Sequence, residues 1–598
     1  MRLPQEICAR VMADRYAGPN EVSARQIYRR VARALSKAEP AEQRAAIAQV
    51  FLRNMTLGAI GAGRIMANAG RDIHATMVNC FVQPVGVGAP GLSFEAGLDE
   101  ACKTLAMGGG VGYDFSALPP ASADPKARDS MPGVCAAIDR YDAACAGLTF
   151  QGSRRGAQMA VLACNHPDIL EFVRAKHGRT RWSTFNISVA VTDAFMTAVQ
   201  QDEAWSLLHP ALPDARSISL GAAKLACGLW RYGQVPARTL WRAIAGQAVH
   251  SSEPGILYID TINRANNLRA VETLRATNPC GEQPLPDYGG CVLGPINLTR
   301  LVRHPFGLGG QPTVDLKRLG QMVRTQVRML DNVIDLTEWP LPAQAAQAHS
   351  KRRIGIGVTG LADMLAMMKL RYDSEPGRSA ARAVARCIRD HAYAASAALA
   401  AQRGPFPLYR PNDYLAADAI GSALPVAVRQ AIAAHGLRNS HLVSFAPAGS
   451  VSLAFADGCS SGIEPAFDWA YRRRLQLRDD NTAEMVVENH AWRLWKHSQP
   501  PGSPIPEYFR KSADIAPADH LFMLAGMQPF VDAAISKTVP VPGNYRTEDA
   551  QELFMLAWRM GLKGLTVFRP DAHLAEVMTS SVNVSASECP TRSPDTCG

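Results

Sequence analysis

The chain has 598 residues, of which 47% are hydrophobic and 19% are charged, and its formal net charge is +10. This length exceeds the size at which one core usually stops growing, so we expect a globular chain with one large domain and appendages. The sequence contains no run of eighteen apolar residues, which predicts that no helix spans a membrane.

The positive net charge raises the question of a nucleic-acid partner. Lys and Arg residues are spread along the chain, and the densest clusters, at 352–353 and 472–474, are short. A solvated surface that attracts phosphorylated small molecules accounts for this distribution as well as a nucleic-acid site does, and the composition favours the solvated surface. We therefore predict no direct contact with nucleic acid.

The thirteen cysteines are odd in number, scattered and free of zinc-ligand spacing. The charged N-terminus also lacks a secretory signal, so we expect reduced thiols, a cytoplasmic location and no metal site. Most of the cysteines are interpreted as small buried hydrophobic residues. These are Cys8, Cys102, Cys135, Cys145, Cys164, Cys227, Cys387 and Cys459.

Residues 1–60 are predicted to form a small helical region, in which Ser23 caps one helix. The main unit, residues 61–573, opens with a strand-like run near 77–82 and an amphipathic helix over 95–107. Glycines 108 to 110 follow this helix, and their backbone N–H groups can approach a ligand closely. A glycine run alone is a weak sign of a phosphate site.

Helices alternate with buried strands through the rest of the main unit. Strands are predicted near 187–191, 257–259, 354–358, 443–446 and 565–568, and the longest helices over 315–338 and 377–402. Thr547 is predicted to cap a later helix. This alternation indicates an α/β barrel or a doubly wound sheet. The tail, residues 574–598, is rich in Ser, Thr and Pro and is predicted to be flexible.

One loop concentrates the reactive side chains. Between 278 and 291, two thiols, two carboxylates and two carboxamides are separated by prolines and glycines. Prolines at 279, 284 and 286 exclude a helix and an interior strand. The segment is therefore predicted to be a stiff loop that directs Asn278, Cys280 and Glu282 toward one point, as catalytic loops do.

These residue types suggest a chemistry. If Cys280 is the reacting group, Glu282 is close enough in sequence to accept a proton from the same substrate. Asn278 could hydrogen-bond both that carboxylate and a substrate hydroxyl. Two positions stay open for Cys291, which could return along a neighbouring strand or leave the site.

Residues 278–282 and 291–298 resemble the finger loop of ribonucleotide reductases and the strand that follows it. Further segments resemble landmarks of this family in the same order, and together they span roughly residues 20–570. They are 68–70, 79–81, 108–116, 154–158, 185–189, 461–465 and 562–569. Because an ordered series is more specific than one motif, the chain is identified as a member of this family.

The resemblance implies a ten-stranded α/β barrel with the finger loop at its centre, and radical removal of the ribose 2′-hydroxyl. Cys280 resembles the thiyl radical that abstracts the 3′-hydrogen. Glu282 would accept the 3′-hydroxyl proton, and Asn278 would hold the hydroxyl and carboxylate in place. Cys80 and Cys291 resemble the dithiol pair that protonates the leaving hydroxyl and ends as a disulfide.

The resemblance also implies a ribonucleotide substrate, in most relatives a diphosphate. Its phosphate would bind where family members usually have Pro-Thr-Gly-Thr. Here Ala448 lacks a hydroxyl, so Ser450 must serve instead. The residues implied in substrate binding are Pro447, Ala448, Gly449, Ser450 and Val451 for the phosphate, and Asn79, Cys80, Gly108 and Gly109 for the ribose.

The source of the radical is indicated by residues 563–569. Reductases that receive the radical from a second subunit need adjacent tyrosines near the last barrel strand. This segment contains no tyrosine, and Phe568 is its one aromatic residue. No glycyl-radical motif lies near the C-terminus. The segment resembles the adenosylcobalamin-dependent class, which implies adenosylcobalamin as cofactor. The alternatives are a cobalamin-independent large subunit and an inactive nucleotide-binding homologue.

Partners are implied in the same way. A thioredoxin- or glutaredoxin-type reductant would act through the tail cysteines, Cys589 and Cys597, or through a separate polypeptide. Arg154 and Arg155 match the loop that relays a deoxynucleotide effector, although residues 84–90 lack the acidic residue that commonly binds it. A homodimer is compatible with the family. The N-terminal region is too short for a regulatory ATP cone.

Overall fold

The computed structural model of the protein describes residues 4–86, 92–126, 133–148, 156–178, 181–476, 482–570 and 578–580. The predicted effector residues Arg154 and Arg155 and the tail cysteines Cys589 and Cys597 lie outside these ranges. None of the helices formed by the described residues is long and apolar enough to cross a bilayer.

The N-terminal region is helical, as predicted. It contains α1 (Glu6–Arg15), α2 (Ala24–Leu35), α3 (Arg44–Leu57) and α4 (Gly63–Asn68). On α2, apolar residues spaced by four positions (Ile27, Val31 and Leu35) are fully buried, which explains why this segment packs as a helix. Ser23 occupies the cap position of α2, but its hydroxyl donates to Gln26 Oε1 and accepts no backbone N–H.

Helices and strands then alternate along the main unit. The helices are α5 (Phe94–Ala106), α6 (Val134–Ala146), α7 (Ile169–Arg174), α8 (Asp193–Gln201), α9 (Ala215–Ser219), α10 (Ala237–Ser251), α11 (Ile259–Arg264), α12 (Leu316–Leu336), α13 (Pro342–Lys351), α14 (Leu361–Met367), α15 (Glu375–Arg403), α16 (Pro411–Leu415), α17 (Val426–His435), α18 (Gly449–Phe455), α19 (His490–Ser498), α20 (Pro517–Met527) and α21 (Thr547–Arg559). Thr547 is the first residue of α21, whereas the cap is Arg546, which forms a capping box with Asp549.

The strands are β1 (Cys80–Val82), β2 (Gly110–Asp114), β3 (Gln158–Ala163), β4 (Phe185–Val191), β5 (Ala204–His209), β6 (Ala223–Lys224), β7 (Trp230–Pro236), β8 (Gly255–Tyr258), β9 (Ala276–Thr277), β10 (Pro284–Leu285), β11 (Gly290–Asn297), β12 (Val302–Arg303), β13 (Thr313–Val314), β14 (Ile354–Thr359), β15 (Ala470–Gln476), β16 (Thr482–Glu488), β17 (Thr538–Pro540), β18 (Gly564–Phe568) and β19 (Met578–Ser580). Strands therefore form at four of the predicted positions, near 187–191, 257–259, 354–358 and 565–568, and most of their residues lie in the core. The predicted strand at 443–446 does not form, because Val443 and Phe445 make only isolated bridges.

A mixed sheet of nine strands organises the described part of the chain, in the order β14-β11-β1-β2-β3-β4-β8-β18-β17. Five strands, from β1 to β8 in this order, are parallel. An antiparallel junction on each side joins this block to a parallel pair. Parallel strands are covered on both faces, which explains their continuous apolar sequence. The mixed α/β class inferred from the sequence is confirmed.

The edges of this sheet contact the chain near residue 444. Ile356 of β14 forms a parallel bridge with Val443, and Phe445 forms one with Ile535, which lies shortly before β17. The hydroxyl of Ser444 donates to the carbonyl oxygen of Glu282 at 3.0 Å. This segment therefore contacts both edge regions and the loop that carries Glu282.

Two corrections concern charged and sulfur-containing residues. Arg352 and Arg353 were interpreted as solvated, but both are buried. Arg352 pairs with Asp331 and Asp335, each at 2.8 Å, and Arg353 pairs with Glu272. These residues precede a buried strand, where ion pairing offsets the desolvation of their charge.

Among the cysteines interpreted as buried, Cys227 is exposed, and Cys102 and Cys387 are half-buried. Cys227 lies in the connection between β6 and β7, outside the core, so its side chain meets solvent. The other five, namely Cys8, Cys135, Cys145, Cys164 and Cys459, are buried as expected.

Candidate active site

The loop singled out in the sequence is a tight hairpin. Thr277 of β9 pairs with Pro284 of β10 in an antiparallel two-stranded sheet, and residues 278–283 form the tip. Proline at 284 is tolerated because a two-residue ribbon needs few ladder hydrogen bonds. A ribbon of two strands has no interior strand, so the structure agrees with the exclusion of an interior strand, and the tip is irregular, as predicted.

Hydrogen bonds within the chain fix the tip. The backbone N–H of Asn278 donates to the Gln283 carbonyl at 3.1 Å, and the N–H of Gln283 donates back to Asn278 Oδ1 at 2.9 Å. Asn186 of β4 donates to the carbonyl of Pro279 at 2.9 Å. The tip is thus held from inside and from the neighbouring sheet, which preorganises its side chains.

Asn278, Glu282 and Cys80 form a buried network. Asn278 Nδ2 donates to Glu282 Oε1 at 2.8 Å and to Cys80 Sγ at 3.1 Å. The Cys80 thiol lies 3.6 Å from the same Glu282 oxygen. The second oxygen, Glu282 Oε2, is buried and has no hydrogen-bond partner among the described residues. An acceptor left in this state suits a substrate hydroxyl.

Burial dominates the electrostatics of this network. It raises the pKa of Glu282 to about 6, against opposing hydrogen bonds that include one from Asn278. Burial also raises the pKa of the Cys80 thiol well above its ordinary value, and the nearby Glu282 carboxyl adds to this shift. At neutral pH, the site therefore combines a carboxylate that can accept a proton with a protonated thiol that can donate one.

Cys80 and Cys291 lie directly opposite each other on β1 and β11. Directly opposed residues of an antiparallel pair have α-carbons about 4.5–5.5 Å apart, within the range that a disulfide bridges. Both cysteines are buried and reduced. The structure therefore settles the position that the sequence left open for Cys291, which returns to the site on a neighbouring strand.

A cavity of about 320 Å³ opens onto this network. Its lining includes Asn79, Cys80, Gly108, Asn278, Cys280 and Glu282, together with all five residues implied in phosphate binding, Pro447, Ala448, Gly449, Ser450 and Val451. A Cβ built on Gly449 would meet no atom of the described residues within 4 Å, so this part of the loop faces open space among them. We refer to this space as the first cavity.

Gly109 is not part of this lining. A Cβ on Gly109 would lie 2.8 Å from the Phe81 ring and 2.9 Å from Thr104, so its α-carbon faces packed side chains. Three arginines not predicted at the site also line the cavity, namely Arg15, Arg64 and Arg473. Arg473 belongs to the cluster 472–474, which the sequence had placed on the solvated surface. The alternation of side chains along β15 could have indicated that Arg473 points away from its two arginine neighbours.

A second cavity, of about 340 Å³, also reaches Cys280. It is lined by residues of β4, β8 and β18, by residues 535–538 and by the finger-loop residues Cys280 and Gly281. Gly281 has a φ of +85°, and no atom in the described ranges lies within 4 Å of a Cβ built there. Cys280 is therefore the exposed thiol on the wall between two cavities.

Cysteine thiols that share a cavity with a buried carboxylate place this α/β protein among enzymes that use cysteine for redox chemistry. Comparison with known families narrows the class. Residues 78–568 match the ribonucleotide reductase barrel domain, and residues 2–74 match the ribonucleotide reductase all-alpha domain. The chain belongs to the ribonucleotide reductase family, and the resemblance drawn from its motifs is confirmed.

Curated relatives agree with this assignment. A vitamin B12-dependent ribonucleoside-diphosphate reductase of Mycobacterium tuberculosis is 33% identical over 86% of this chain and 71% of the relative. The protein of the same name in Thermoplasma acidophilum is 30% identical over 86% of this chain and 64% of the relative. A ribonucleoside-diphosphate reductase subunit alpha of Synechocystis is 28% identical over 76% and 62% of the two chains.

Proposed function

We propose that the protein is an adenosylcobalamin-dependent ribonucleotide reductase that converts ribonucleoside diphosphates to 2′-deoxyribonucleotides. The observation that carries this proposal is that Cys80, opposite Cys291, shares with Cys280 a cavity that also holds Asn278 and Glu282. The relatives of highest identity reported above are named vitamin B12-dependent, which favours this reaction over that of a cobalamin-independent subunit.

In the proposed reaction, Cys280 Sγ, as a thiyl radical, takes the hydrogen atom from the ribose 3′-carbon. Glu282 accepts the proton of the 3′-hydroxyl, and Asn278 Nδ2 holds the carboxylate in position. The 2′-hydroxyl leaves as water with a proton from the Cys80–Cys291 pair. The second hydrogen of the pair goes to the 2′-carbon, so the two thiols supply two electrons and become a disulfide. Glu282 returns its proton to the 3′-oxygen, and Cys280 returns its hydrogen to the 3′-carbon and becomes a thiyl radical again.

We propose the second cavity, which reaches Cys280, as the place where the cofactor approaches this thiol. Its walls carry apolar side chains such as Ile256, Val567 and Phe568, and the backbone at Gly281 leaves open space beside Cys280. The lining includes no histidine among the described residues, so packing and hydrogen bonds would hold the group. Homolysis of a cobalt–carbon bond is the chemistry that adenosylcobalamin supplies when bound.

We further propose that the barrel is closed and ten-stranded, with the segment around 443–445 as the tenth strand. The bridges from Ile356 to Val443 and from Phe445 to Ile535 support this closure. The helical region 1–60, the catalytic unit 61–573 and the tail 574–598 remain our proposed division. We also keep as proposals a homodimer, an effector at Arg154 and Arg155, and a thioredoxin- or glutaredoxin-type reductant that reaches the site through Cys589 and Cys597.

An anaerobic assay tests the reaction. The full chain, adenosylcobalamin, one ribonucleoside diphosphate and a dithiol should yield the deoxynucleotide, together with the cob(II)alamin absorption spectrum. Cys280→Ser should abolish product while retaining cobalamin binding, and Cys227→Ser, at an exposed thiol far from the loop in sequence, is the matched control. Product formation by Cys280→Ser would refute the role of this cysteine.

The disulfide is tested separately. Without a dithiol, one round of turnover should remove two titratable thiols, and peptide mapping by mass spectrometry should join Cys80 to Cys291, because the strand register brings them together. Cys291→Ser should form no such link and should not sustain turnover with dithiol. A turnover-dependent link between two other cysteines would contradict the assignment.

A further inference from the structure

The first cavity carries more positive charge than its proposed chemistry at the ribose requires. Arg15, Arg64 and Arg473 line the cavity, whereas Glu282 is the one acidic residue among the described residues that line it. The three arginines come from α1, α4 and β15, which are far apart in sequence. Three guanidinium groups facing one cavity form an environment that favours an anion of high charge.

Arg473 reaches the cavity because of strand geometry. Successive side chains of a strand point to opposite faces, so Arg473 is directed away from Arg472 and Arg474. Both neighbours are exposed, and Arg472 lies 3.7 Å from Glu484 on the adjacent strand β16. One member of this arginine run therefore belongs to the cavity, and the other two belong to the surface.

Arg64 is almost completely buried, with 6% of its surface exposed. Its guanidinium lies against Gly108, where a Cβ would be only 2.7 Å from Arg64 Cζ. Burial of a guanidinium is unfavourable unless hydrogen-bonding or charged groups compensate for the lost hydration. A planar guanidinium can donate two parallel hydrogen bonds to phosphate oxygens, so a guanidinium residue that lines this cavity suits a phosphate group.

Arg15 is held at the cavity through the next residue. The hydroxyls of Tyr16 and Ser450 are 2.7 Å apart, so they form a hydrogen bond between the end of α1 and the loop 447–451. Tyr16 is buried, and its hydroxyl would lie 3.5 Å from a Cβ built on Gly63, at the start of α4. The N-terminal helices thus form part of the cavity wall.

We propose that Arg15, Arg64 and Arg473 recognise the 5′-polyphosphate of the nucleotide and make the site selective for nucleoside diphosphates or longer over monophosphates and nucleosides. This inference rests on the proposed function for the identity of the ribose end. The arginines replace the contact that Ala448 cannot make on the loop. Buried oxygens of Asn79 and Glu282, which have no hydrogen-bond partner within the described part of the chain, supply the independent sign that the same cavity takes a hydroxyl-bearing ligand.

Calorimetric titration of the full chain with cytidine diphosphate, cytidine monophosphate and cytidine tests this proposal without turnover. Arg473→Gln should weaken diphosphate binding about tenfold to hundredfold, the loss of one charge-assisted contact, and should change cytidine binding less than about twofold. Arg472→Gln and Arg474→Gln make the same charge change on the same strand and should leave all three affinities unchanged. Arg15→Gln should behave like Arg473→Gln, with the exposed Arg10→Gln as its control.

Arg64 is tested by Arg64→Lys, which keeps the charge and loses the paired hydrogen bonds, and by thermal unfolding of the variant to show that it folds. Arg64→Lys should weaken diphosphate binding about tenfold.

The proposal would be overturned if these substitutions weakened the binding of cytidine and of cytidine diphosphate equally. It would also be overturned if Arg473→Gln and Arg472→Gln had equal effects on diphosphate binding. The protein could bind the diphosphate in a way that depends on these arginines and yet form no deoxynucleotide. That result would support this inference and contradict only the proposed reaction.

Discussion

At the scale of single residues, Glu282 shows how the site exchanges stability for reactivity. Its side chain is buried on the finger loop. One carboxylate oxygen accepts a hydrogen bond from Asn278, and the other has no partner in the ranges that the structure describes. Burial raises the pKa of this carboxyl to about 6, which makes it a better proton acceptor near neutral pH than an exposed glutamate. The same burial makes its ionised form unfavourable for folding.

Glu282→Gln should lower the turnover number about 10²- to 10⁴-fold, because the amide cannot accept the 3′-hydroxyl proton. In the wild type, activity should fall as the pH drops through about 6, where Glu282 becomes protonated. Rate profiles from pH 5 to pH 9 measure both effects. Glu95→Gln, at an exposed carboxylate of α5, should leave the profile unchanged. A wild-type rate that stays constant below pH 6 would argue against this base.

Glu282→Gln should also be more stable than the wild type at high pH. Because its folded-state pKa is raised above the ordinary 4.5, Glu282 contributes most to the free energy of unfolding below pH 4.5, and this contribution is lost as the pH rises through about 6. Above that value, Glu282→Gln should therefore gain about 2 kcal/mol relative to the wild type. Denaturant unfolding at pH 5 and pH 8 would reveal the difference.

At the scale of secondary structure, glycines in strands set how closely the finger loop approaches the sheet. A Cβ on Gly112 of β2 would lie 1.8 Å from the carbonyl oxygen of Thr277, on β9. On β14, a Cβ on Gly357 would lie 2.7 Å from the carbonyl oxygen of Ser444. Backbone atoms cannot move aside as a side chain can, so these positions require glycine.

Gly112→Ala should lower the free energy of unfolding by about 2–4 kcal/mol and reduce activity at least about tenfold, since it pushes Asn278 and Glu282 out of place. Gly233→Ala is the matched control, because Gly233 lies in strand β7 with no atom within 4 Å of a new Cβ. The control should change stability by less than about 0.5 kcal/mol. Denaturation midpoints and the reductase assay, compared across both variants, provide the test; similar effects would contradict it.

At the scale of the whole molecule, a buried ion network joins the N-terminal helices to the main unit. Glu39 follows α2 and is fully buried; it pairs with Arg328 of α12 at 2.6 Å and with Arg403 of α15 at 2.7 Å. Asp331 of α12 pairs with Arg403 at 3.3 Å and with Arg352 at 2.8 Å. These contacts couple the helices that support the first cavity to the strand β14, which borders the sheet.

Glu39→Gln should destabilise the protein by about 3 kcal/mol, since it leaves Arg328 and Arg403 without this partner. Burial opposes ionisation of Glu39, but hydrogen bonds from Arg328, Asn332 and Arg403 outweigh it and lower the pKa to about 2. The stabilisation is therefore complete above pH 4.5 and is lost as the pH falls through about 2.

The difference between wild type and Glu39→Gln should accordingly be larger at pH 7 than at pH 3 in denaturant unfolding. The unfolding transitions can be followed by circular dichroism and by tryptophan fluorescence. If the helical region and the main unit unfold as one, the two transitions should coincide in each protein. Glu42→Gln, at an exposed residue of the same segment, should have no effect at either pH. A difference independent of pH would contradict the ionic role of Glu39.

The sequence by itself indicated the candidate catalytic residues and most of the secondary structure. Asn278, Cys280 and Glu282 stand in one short loop, and helices such as α12 and strands such as β14 follow from local apolar spacing. Details that depend on cap hydrogen bonds, as at Ser23 and Thr547, were missed. Local patterns are predictable because backbone sterics and side-chain period act over a few residues.

Only the tertiary structure decided which distant residues meet. Strand register placed Cys291 opposite Cys80, and packing placed Cys280 between two cavities. It also buried the pair 352–353 that had been interpreted as surface, and turned Arg473 inward. Such contacts depend on how strands pair and how the chain closes around them, and that information is distributed over the whole sequence and absent from any one segment.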